Sequence, residues 1–344
     1  MNISNTKDGN GGEVISISDG LKIVMPPSPY WPESANVYVF KDNDGISLFD
    51  VGCGNIMMVD RLWKALKILG WDMLPMKKVI LSHIHPDHAG AMEMILSEFN
   101  PKEIIIHEKD LVYCQQPEKL HFSFDIPICE KRRIEAIEGS QMPGPDRAGE
   151  RPPGDDPKRF NLLGYFNSCK CSVCRFKPTK LLKEGDFIHI GNYSFCVVHT
   201  PGHAPGHMSL YDSKKFLLLA GDIIGDVVAW YSPSSGGATG YLKSIEKIEA
   251  LKIDQILPSH GGRIIQVQEA IKSTKQTILG RDKTIIDALI NGPKTYHELL
   301  NILFSTPEKQ FFPGTAILEC HIEKLKNEQK IRKIDSNSYV SLQN

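Results

Sequence analysis

The 344-residue sequence lacks any apolar run approaching the roughly 18–20 residues of a membrane-spanning helix. Its opening stretch, Met1 to Asp8, has none of the basic-then-apolar pattern of a secretory leader. Charge of one sign is missing too. Forty basic against 41 acidic side chains leave a formal net charge of −1, so no global field recruits nucleic acid or a membrane surface. No internal repeat recurs, which removes solenoids and propellers. The expectation is a cytoplasmic protein of one large or two medium domains, with 41% hydrophobic residues to build a core.

Without a secretory leader, the eight cysteines read poorly as a disulfide framework. Cys53, Cys114, Cys196 and Cys320 stand alone and read as small buried hydrophobes. Cys169, Cys171 and Cys174 crowd into one loop, and Cys129 stands upstream of it. These four would complete a structural zinc site that pins a loop unable to pin itself.

Short alternating runs at Val14–Ile17, Leu21–Met25, Asn36–Phe40 and Gly45–Asp50 predict a β-meander. A helix at Val59–Leu69, a strand at Lys78–Leu81, a helix at Ala91–Phe99 and a strand at Glu103–His107 follow. That order suggests two sheets with helices outside. Residues 131–180 interrupt the rhythm, and Met142–Pro157 alone holds five prolines and three glycines. This insert carries 11 basic against six acidic residues, a local +5. Strands resume at Phe187–Ile190, Tyr193–His199, Met208–Tyr211 and Phe216–Ala220, with a helix at Tyr241–Leu251 and a strand at Gln255–Leu257. From about Arg281 the pattern becomes Thr284–Ile290, Tyr296–Phe304 and Thr315–Lys326 as helices, then a hairpin over Ile331–Leu342. Three helices and a hairpin form a winged-helix order. The expected division is 1–280 for the main domain and 281–344 for the tail.

Five places carry polar groups at or just past predicted strand ends. They are Asp50; His83-Ile84-His85-Pro86-Asp87-His88; Thr200-Pro201-Gly202-His203; Gly221-Asp222; and Ser259-His260-Gly261. Strands packed side by side would deliver all of them to one edge of the core. Such groups cannot be buried unpaired, because each costs roughly several kcal/mol to desolvate. Imidazole and carboxylate together suit zinc, iron or manganese. Seven ligands exceed what one tetrahedral ion uses, whereas two ions bridged by a carboxylate absorb them. His107, His121, His189, His199, His297 and His321 read instead as structural histidines.

The set His83-x-His85-x-Asp87-His88, His203, Asp222 and His260, in this order and spacing, resembles the metallo-β-lactamase-fold hydrolases. The resemblance covers roughly residues 14–265 apart from the insert. It implies a four-layer αββα sandwich. It implies that His83, His85 and His203 hold one metal and Asp87, His88 and His260 the other, with Asp222 bridging. Asp50 matches the family's aspartate that supports the ligands from behind, and His207 is a candidate for a similar role. The implied cofactors are two zinc ions, with iron or manganese as alternatives, and a third, structural zinc in the cysteine loop. Chemistry would come from a hydroxide shared by the two metals, since metal binding lowers water's pKa from 15.7 to about 7. Asp87 or Asp222 would hold it and take its proton.

The segment from Thr200 to His207 looks like glyoxalase II-type thioesterases and acyl-homoserine lactonases, and keeping Asp222 with Asp87 argues against the antibiotic-hydrolysing branch. The tail does not resemble the glutathione-binding region of glyoxalase II. It resembles the winged-helix end of a branch that includes a mitochondrial endoribonuclease. Nine basic against eight acidic residues from Arg281 onward make it a weak phosphate reader, so nucleic acid is not favoured as a partner. A cap over the site or a homodimer contact is the expected role. Lys131, Arg132 and Arg133, with Arg147, Arg151, Lys158 and Arg159, are candidates to grip coenzyme A phosphates. Trp230 and Tyr231 are candidates to wall the substrate pocket. The expectation is a dinuclear-metal hydrolase of a small-molecule thioester or ester. The alternatives are a lactonase, an endoribonuclease and a mononuclear-iron sulfur dioxygenase.

Overall fold

The computed structural model describes residues 6–7, 13–26, 33–138, 162–168, 170–306 and 309–342. Strands β1 (Thr6–Lys7), β2 (Glu13–Ser18), β3 (Leu21–Val24), β4 (Val37–Asp42), β5 (Gly45–Phe49), β6 (Met76–Ile80), β7 (Glu103–His107) and β8 (Lys180–Leu182) form one sheet in sequence order. β9 (Phe187–Ile190), β10 (Tyr193–His199), β11 (Met208–Asp212), β12 (Leu217–Gly221) and β13 (Gln255–Pro258) form the second, in the order β13-β12-β11-β10-β9. The meander pairs antiparallel, but β5–β6, β6–β7 and β12–β13 are parallel. Parallel pairing puts the C-terminal ends of these strands on a common edge.

Side-chain alternation builds the layers. In β4, Tyr38 and Phe40 face the core shared by the two sheets, while Val37 and Val39 face outward helices. In β12, Leu217 and Leu219 point to the shared core, and Leu218 and Ala220 to the opposite helical layer. A strand with apolar residues on both faces must be covered on both. Helix α1 (Ile56–Leu69) covers the first sheet with Val59, Leu62 and Leu66, capped by Asn55 and stopped by Gly70 in the left-handed region. Short helices α2 (Pro86–Ala89) and α3 (Met92–Phe99), then α4 (Leu111–Gln115), α5 (Leu120–Ser123), α6 (Ile126–Glu138) and α7 (Leu162–Ser168), complete that side. On the second sheet lie α8 (Gly237–Glu249) and α9 (Val267–Ile290). The result is the expected αββα sandwich. Among the described residues no helix is long and apolar enough to cross a membrane.

The tail comprises β14 (Lys294–Thr295), α10 (Tyr296–Leu303), α11 (Thr315–Asn327), β15 (Ile331–Lys333) and β16 (Ser338–Ser341), with a sheet of order β14-β16-β15. It has its own core around Leu289, Leu299, Leu318 and Leu325. Helix and hairpin follow the winged-helix order, but the boundary at 280/281 falls inside α9, a continuous 24-residue helix. Ile271 and Ile278 of this helix face the sandwich, and Ile285 and Leu289 face the tail. One rod therefore belongs to both units.

Helix α6 also reaches the tail. Arg132 Nε donates to Glu319 Oε1 at 2.5 Å, and its guanidinium lies 4.3 Å from the Tyr296 ring centre. This corrects the expectation that Arg132 contacts a substrate phosphate, because its charge is already paired. Met142–Pro157, including Arg147 and Arg151, lies outside the described residues, as do Lys158, Arg159, Cys169 and the side chain of Arg133. Replacing Arg132→Ala should cost about 2 kcal/mol in urea unfolding, since it strips a charge-assisted bond and a cation–π contact. Exposed Lys131→Ala should change stability by less than about 0.5 kcal/mol.

Candidate metal centre

The edge shared by the parallel strands carries the expected residues. Asp50 follows β5, Ser82 and His83 follow β6, Asp222 follows β12 and His260 follows β13. The fifth piece, Thr200–His207, is the turn between β10 and β11. Two donor groups form there: His83, His85 and His203; and Asp87, His88, Asp222 and His260.

In the first group His83 Nε2 and His85 Nδ1 are 2.9 Å apart, His85 Nδ1 and His203 Nε2 3.0 Å, and His203 Nε2 and His83 Nε2 3.2 Å. The outer nitrogens decide what these atoms are. His203 Nδ1 lies 2.6 Å from the Trp230 carbonyl oxygen, which only accepts, so Nδ1 carries the proton. Ser82 Oγ donates to Asp50 Oδ2 at 2.9 Å, which leaves it to accept from His83 Nδ1 at 3.0 Å. The Nε2 lone pairs of neutral His83 and His203 therefore point inward, beside the Nδ1 of His85. Burial pushes all three imidazoles below their ordinary pKa, and neighbouring histidines add to the effect for His83 and His85. Converging buried lone pairs repel one another, and a cation between them removes the conflict.

The second group is arranged by charge. Asp87 Oδ2 lies 3.5 Å from His88 Nε2 and 3.4 Å from His260 Nε2. Asp222 spans both groups: Oδ1 lies 3.3 Å from His88 Nε2 and 3.6 Å from His260 Nε2, while Oδ2 lies 3.2 Å from His203 Nε2. Burial opposes ionisation of the two acids, yet the imidazoles outweigh it, holding Asp87 down to about 2 and Asp222 well below its usual range. Buried Asp222 Oδ1 and His88 Nε2 face each other at 3.3 Å without the alignment of a good hydrogen bond. Donors about 2.0–2.2 Å from a tetrahedral ion stand roughly 3.3–3.6 Å from one another. The second group's spacings, 3.3–3.6 Å, match that range; the first group's, 2.9–3.2 Å, are tighter and would open slightly around an ion, with Asp222 facing both groups. Asp87 and His260 keep 24% and 29% of their side-chain surface exposed, so the centre opens on their side.

Behind the donors sits a layer of fixed hydrogen bonds. Asp50, in the left-handed region at φ 58°, accepts from Ser82 N at 2.7 Å, His88 Nδ1 at 2.9 Å and Ser259 Oγ at 3.1 Å. It thereby joins the ends of β5, β6 and β13. His207 Nε2 accepts from Asp222 N at 2.9 Å, and its Nδ1–H donates to Thr200 Oγ1 at 2.8 Å. Both residues therefore stand directly behind the donors. Gly221, at φ 60°, lets His207 approach, since a Cβ there would come within 2.4 Å of its Nε2. Asn36 Nδ2 donates to the carbonyls of Pro258 and Gly261 at 3.0 and 2.9 Å, fixing the loop that carries His260.

Two expectations change. Tyr231 does not wall the site: it is fully buried and its hydroxyl meets His321 of α11. Its neighbour Trp230 does lie against the donors, stacked on His85 at 5.3 Å, and Phe124 stacks on the same imidazole at 4.6 Å. The expected four-cysteine zinc does not assemble among the described residues, because no donor group there includes a cysteine. Cys171 instead hydrogen-bonds Cys53 beside the metal loops, and Cys129 packs near Ala316 and Glu319 of the tail.

The sequence pattern did not reveal Asp110. This buried carboxylate accepts backbone N–H groups from Ile84 and Gly206, clamping the two loops that carry His83, His85 and His203. Its signal was faint, one of two acids in the short turn after β7. Gly206 must be glycine, since a Cβ there would lie 2.2 Å from Asp110 Cγ. Burial pushes Asp110 up to about 7. The folded state then holds the proton more tightly than the unfolded chain, whose aspartates titrate near 3.9. Stability from this group is full below about pH 4 and is lost as pH rises through about 7. Urea unfolding at pH 5 and pH 8 should show the wild type losing stability relative to Asp110→Asn over that interval; parallel pH responses would refute the assignment.

Comparison with known proteins agrees with this geometry. The chain is 25% identical over 320 residues to the probable metallo-hydrolase YqjP of Bacillus subtilis, spanning 90% of this chain and 92% of that protein. It is 23% identical over 232 residues to the acyl-coenzyme A thioesterase MBLAC2 of Gallus gallus, covering 66% and 72% of the two chains. Its fold is similar to the crystal structures of a metallo-beta-lactamase family protein from Thermus thermophilus and a beta-lactamase domain protein from Burkholderia ambifaria. TM-scores are 0.71 and 0.73 at 21% and 19% identity, over 95% and 98% of this chain and 100% and 95% of theirs. The family model of the metallo-beta-lactamase superfamily matches residues 30–260. That stretch contains all seven donors of the centre, and the chain belongs to the metallo-beta-lactamase superfamily.

Proposed function

We propose that this protein is a dinuclear-metal hydrolase of acyl-coenzyme A or a related small thioester. The observation that carries the dinuclear part is Asp222, whose two oxygens face the two donor groups separately. His83, His85 and His203 would hold one ion, Asp87, His88 and His260 the other, and Asp222 both. Zinc suits this donor set, with iron or manganese as alternatives. When bound, such ions polarise a carbonyl and make water acidic enough to act as a nucleophile near neutral pH.

The chain's own residues do the rest. His83, His85 and His203 are buried and hold position, while the partly exposed Asp87 and His260 face the opening. Asp87 is the carboxylate on that open side that would take up a proton. Trp230 and Phe124 present flat apolar surface beside the donors, with Phe312 of the tail 5.2 Å from Trp230. An acyl chain matches such a wall better than a polyanion does. The thioester leaving group is supported by the named activity of the Gallus gallus relative.

An endoribonuclease is less well supported. In a winged helix the second helix of the helix-turn-helix enters the groove. Here α11 buries Ile317, Leu318, Cys320, His321, Ile322 and Leu325, which leaves little of it to read a base edge.

Release of free thiol from a series of acyl-coenzyme A esters tests the reading. Turnover should disappear on chelation, return with zinc, and fall by at least about 100-fold in Asp222→Asn. Activity should decline only mildly with salt, whereas steep salt dependence with RNA as substrate would favour the nuclease. Lactones hydrolysed in preference to thioesters would select the lactonase, and a single iron per chain with oxygen uptake the sulfur dioxygenase.

The basic insert enters as a substrate determinant. Neutralising Arg151, Lys158 and Arg159 together should raise KM for acyl-coenzyme A roughly 10-fold while leaving a thioester without the nucleotide unchanged. Equal kinetics on both substrates would end that part of the proposal.

A further inference from the structure

Residues 230–232 run between the metal centre and the tail, and successive residues face opposite ways. Trp230 turns to the centre: its carbonyl accepts from His203 Nδ1 at 2.6 Å and its ring lies on His85 and His203. Tyr231 turns away, into the helical layer. Ser232, extended at φ −139° and ψ 155°, donates its N–H to Gly202 O at 3.2 Å and its hydroxyl to Ser123 O at 3.2 Å. A strand-like segment thus lies along the Gly202–His203 turn, and its distance from that turn sets where the Trp230 carbonyl stands.

Tyr231 is held by a chain of polar groups that has no role in the chemistry above. Arg281 donates to the Tyr231 oxygen at 2.7 Å. The hydroxyl therefore donates its own proton to His321 Nε2, at 2.6 Å. His321 Nδ1–H then donates to Asp282 Oδ1 at 2.7 Å, and Lys324 donates to Asp282 Oδ2 at 2.7 Å. Every donor and acceptor in the run has one compatible assignment. Tyr231 and His321 are fully buried and Asp282 nearly so, and the ends of the chain sit on α9 and α11. The Tyr231 backbone carbonyl also faces Cys320 Sγ of α11 at 3.8 Å. Burying such groups merely to join two units would be costly, because packed apolar residues do that equally well. What apolar residues cannot do is fix one rotation and one depth for Tyr231.

We infer that the tail positions a metal ligand: the Asp282–His321–Tyr231 relay, locked by Arg281 and Lys324, sets the Trp230 carbonyl that orients His203. Tyr231, His321 and Asp282 are positioning residues and not catalytic ones. The inference rests on the donor geometry of His83, His85 and His203 and not on the substrate. Loss of carboxylate or carbonyl partners behind a metal-bound histidine costs roughly 10–100-fold in metal affinity. The relay acts one residue further out, so the lower end applies.

The test uses the full-length chain titrated with cobalt(II), whose visible absorption reports ligand geometry. Tyr231→Phe and His321→Leu should each weaken binding at the site that includes His203 by about 5–10-fold and shift the absorption bands. The double variant should be no weaker than the worse single, as coupling within one chain requires. His321→Gln, whose amide can accept from Tyr231 and donate to Asp282, should restore much of the affinity. Arg132→Ala is the control, because it loosens the tail elsewhere without touching the relay. Wild-type affinity and spectra in Tyr231→Phe and His321→Leu would overturn the inference. So would an equal loss in Arg132→Ala, which would reduce the tail to general support. Either outcome is reached without a substrate, so it stays separate from the thioesterase assignment.

Discussion

Seven donors brought to one buried edge form an arrangement that the fold alone does not stabilise. Each imidazole or carboxylate there gives up hydration worth roughly several kcal/mol, and three ring nitrogens within 3.2 Å of one another repel. Much of the surrounding structure can be understood as holding that unfavourable arrangement ready for cations. Asp50 ties three strand ends together, Asp110 clamps two ligand loops and His207 fixes the backbone of Asp222. None of these groups needs to touch a substrate. Their work is to deny the donors any other partner or rotamer, which is what preorganisation means at a metal site.

The sandwich suits this because its two halves are joined at the edge and not only through the core. Parallel pairing of β5, β6 and β7 and of β12 and β13 brings their loops out on one side. Asn36 and Tyr38 then bind Pro258 and Gly261 carbonyls of the other sheet, with Tyr38 Oη 2.5 Å from Pro258 O. A slide of one sheet over the other would break these bonds and separate His260 from Asp87. Register between the sheets and geometry of the centre are thus one constraint.

The donors themselves were legible in the sequence, since four of the seven sit in one motif whose local spacing carries chemistry and the other three each follow a strand. So were the alternating runs of the meander and the strand Glu103–His107, recovered residue for residue. What stayed hidden depends on partners distant in the chain. Asp110 is a single acid whose meaning comes from Ile84 and Gly206. The Trp230 carbonyl is invisible to any reading of side chains. Tyr231 beside Trp230 looked like the second half of an aromatic wall, but an extended backbone sends neighbours to opposite faces. Cys171 looked like a partner for Cys174, and the fold pairs it with Cys53 instead. The division at 280 followed a change in composition, whereas α9 carries two apolar faces in sequence, one for each unit.

That shared helix bears on what the tail is for. A winged helix used as a detachable reader would need an exposed recognition helix and a loose tether. Here the tether is a continuous helix, α11 is buried against α8 and α6, and the wing strand β16 packs on α9. Phe312 reaches the aromatic wall, and the Asp282–His321–Tyr231 run reaches the backbone behind His203. The first contact lands on the helical side of the first sheet, where Phe312 packs with Phe124 and Trp230, and the second arrives through the helical layer outside the second sheet. The fold sets His203 in the turn between two antiparallel strands, whereas His83 and His85 follow a parallel strand of the first sheet. A tail that braces this turn adds to the hold of Asp110 on the same loop, and Asp87 and His260 still meet solvent on the open side.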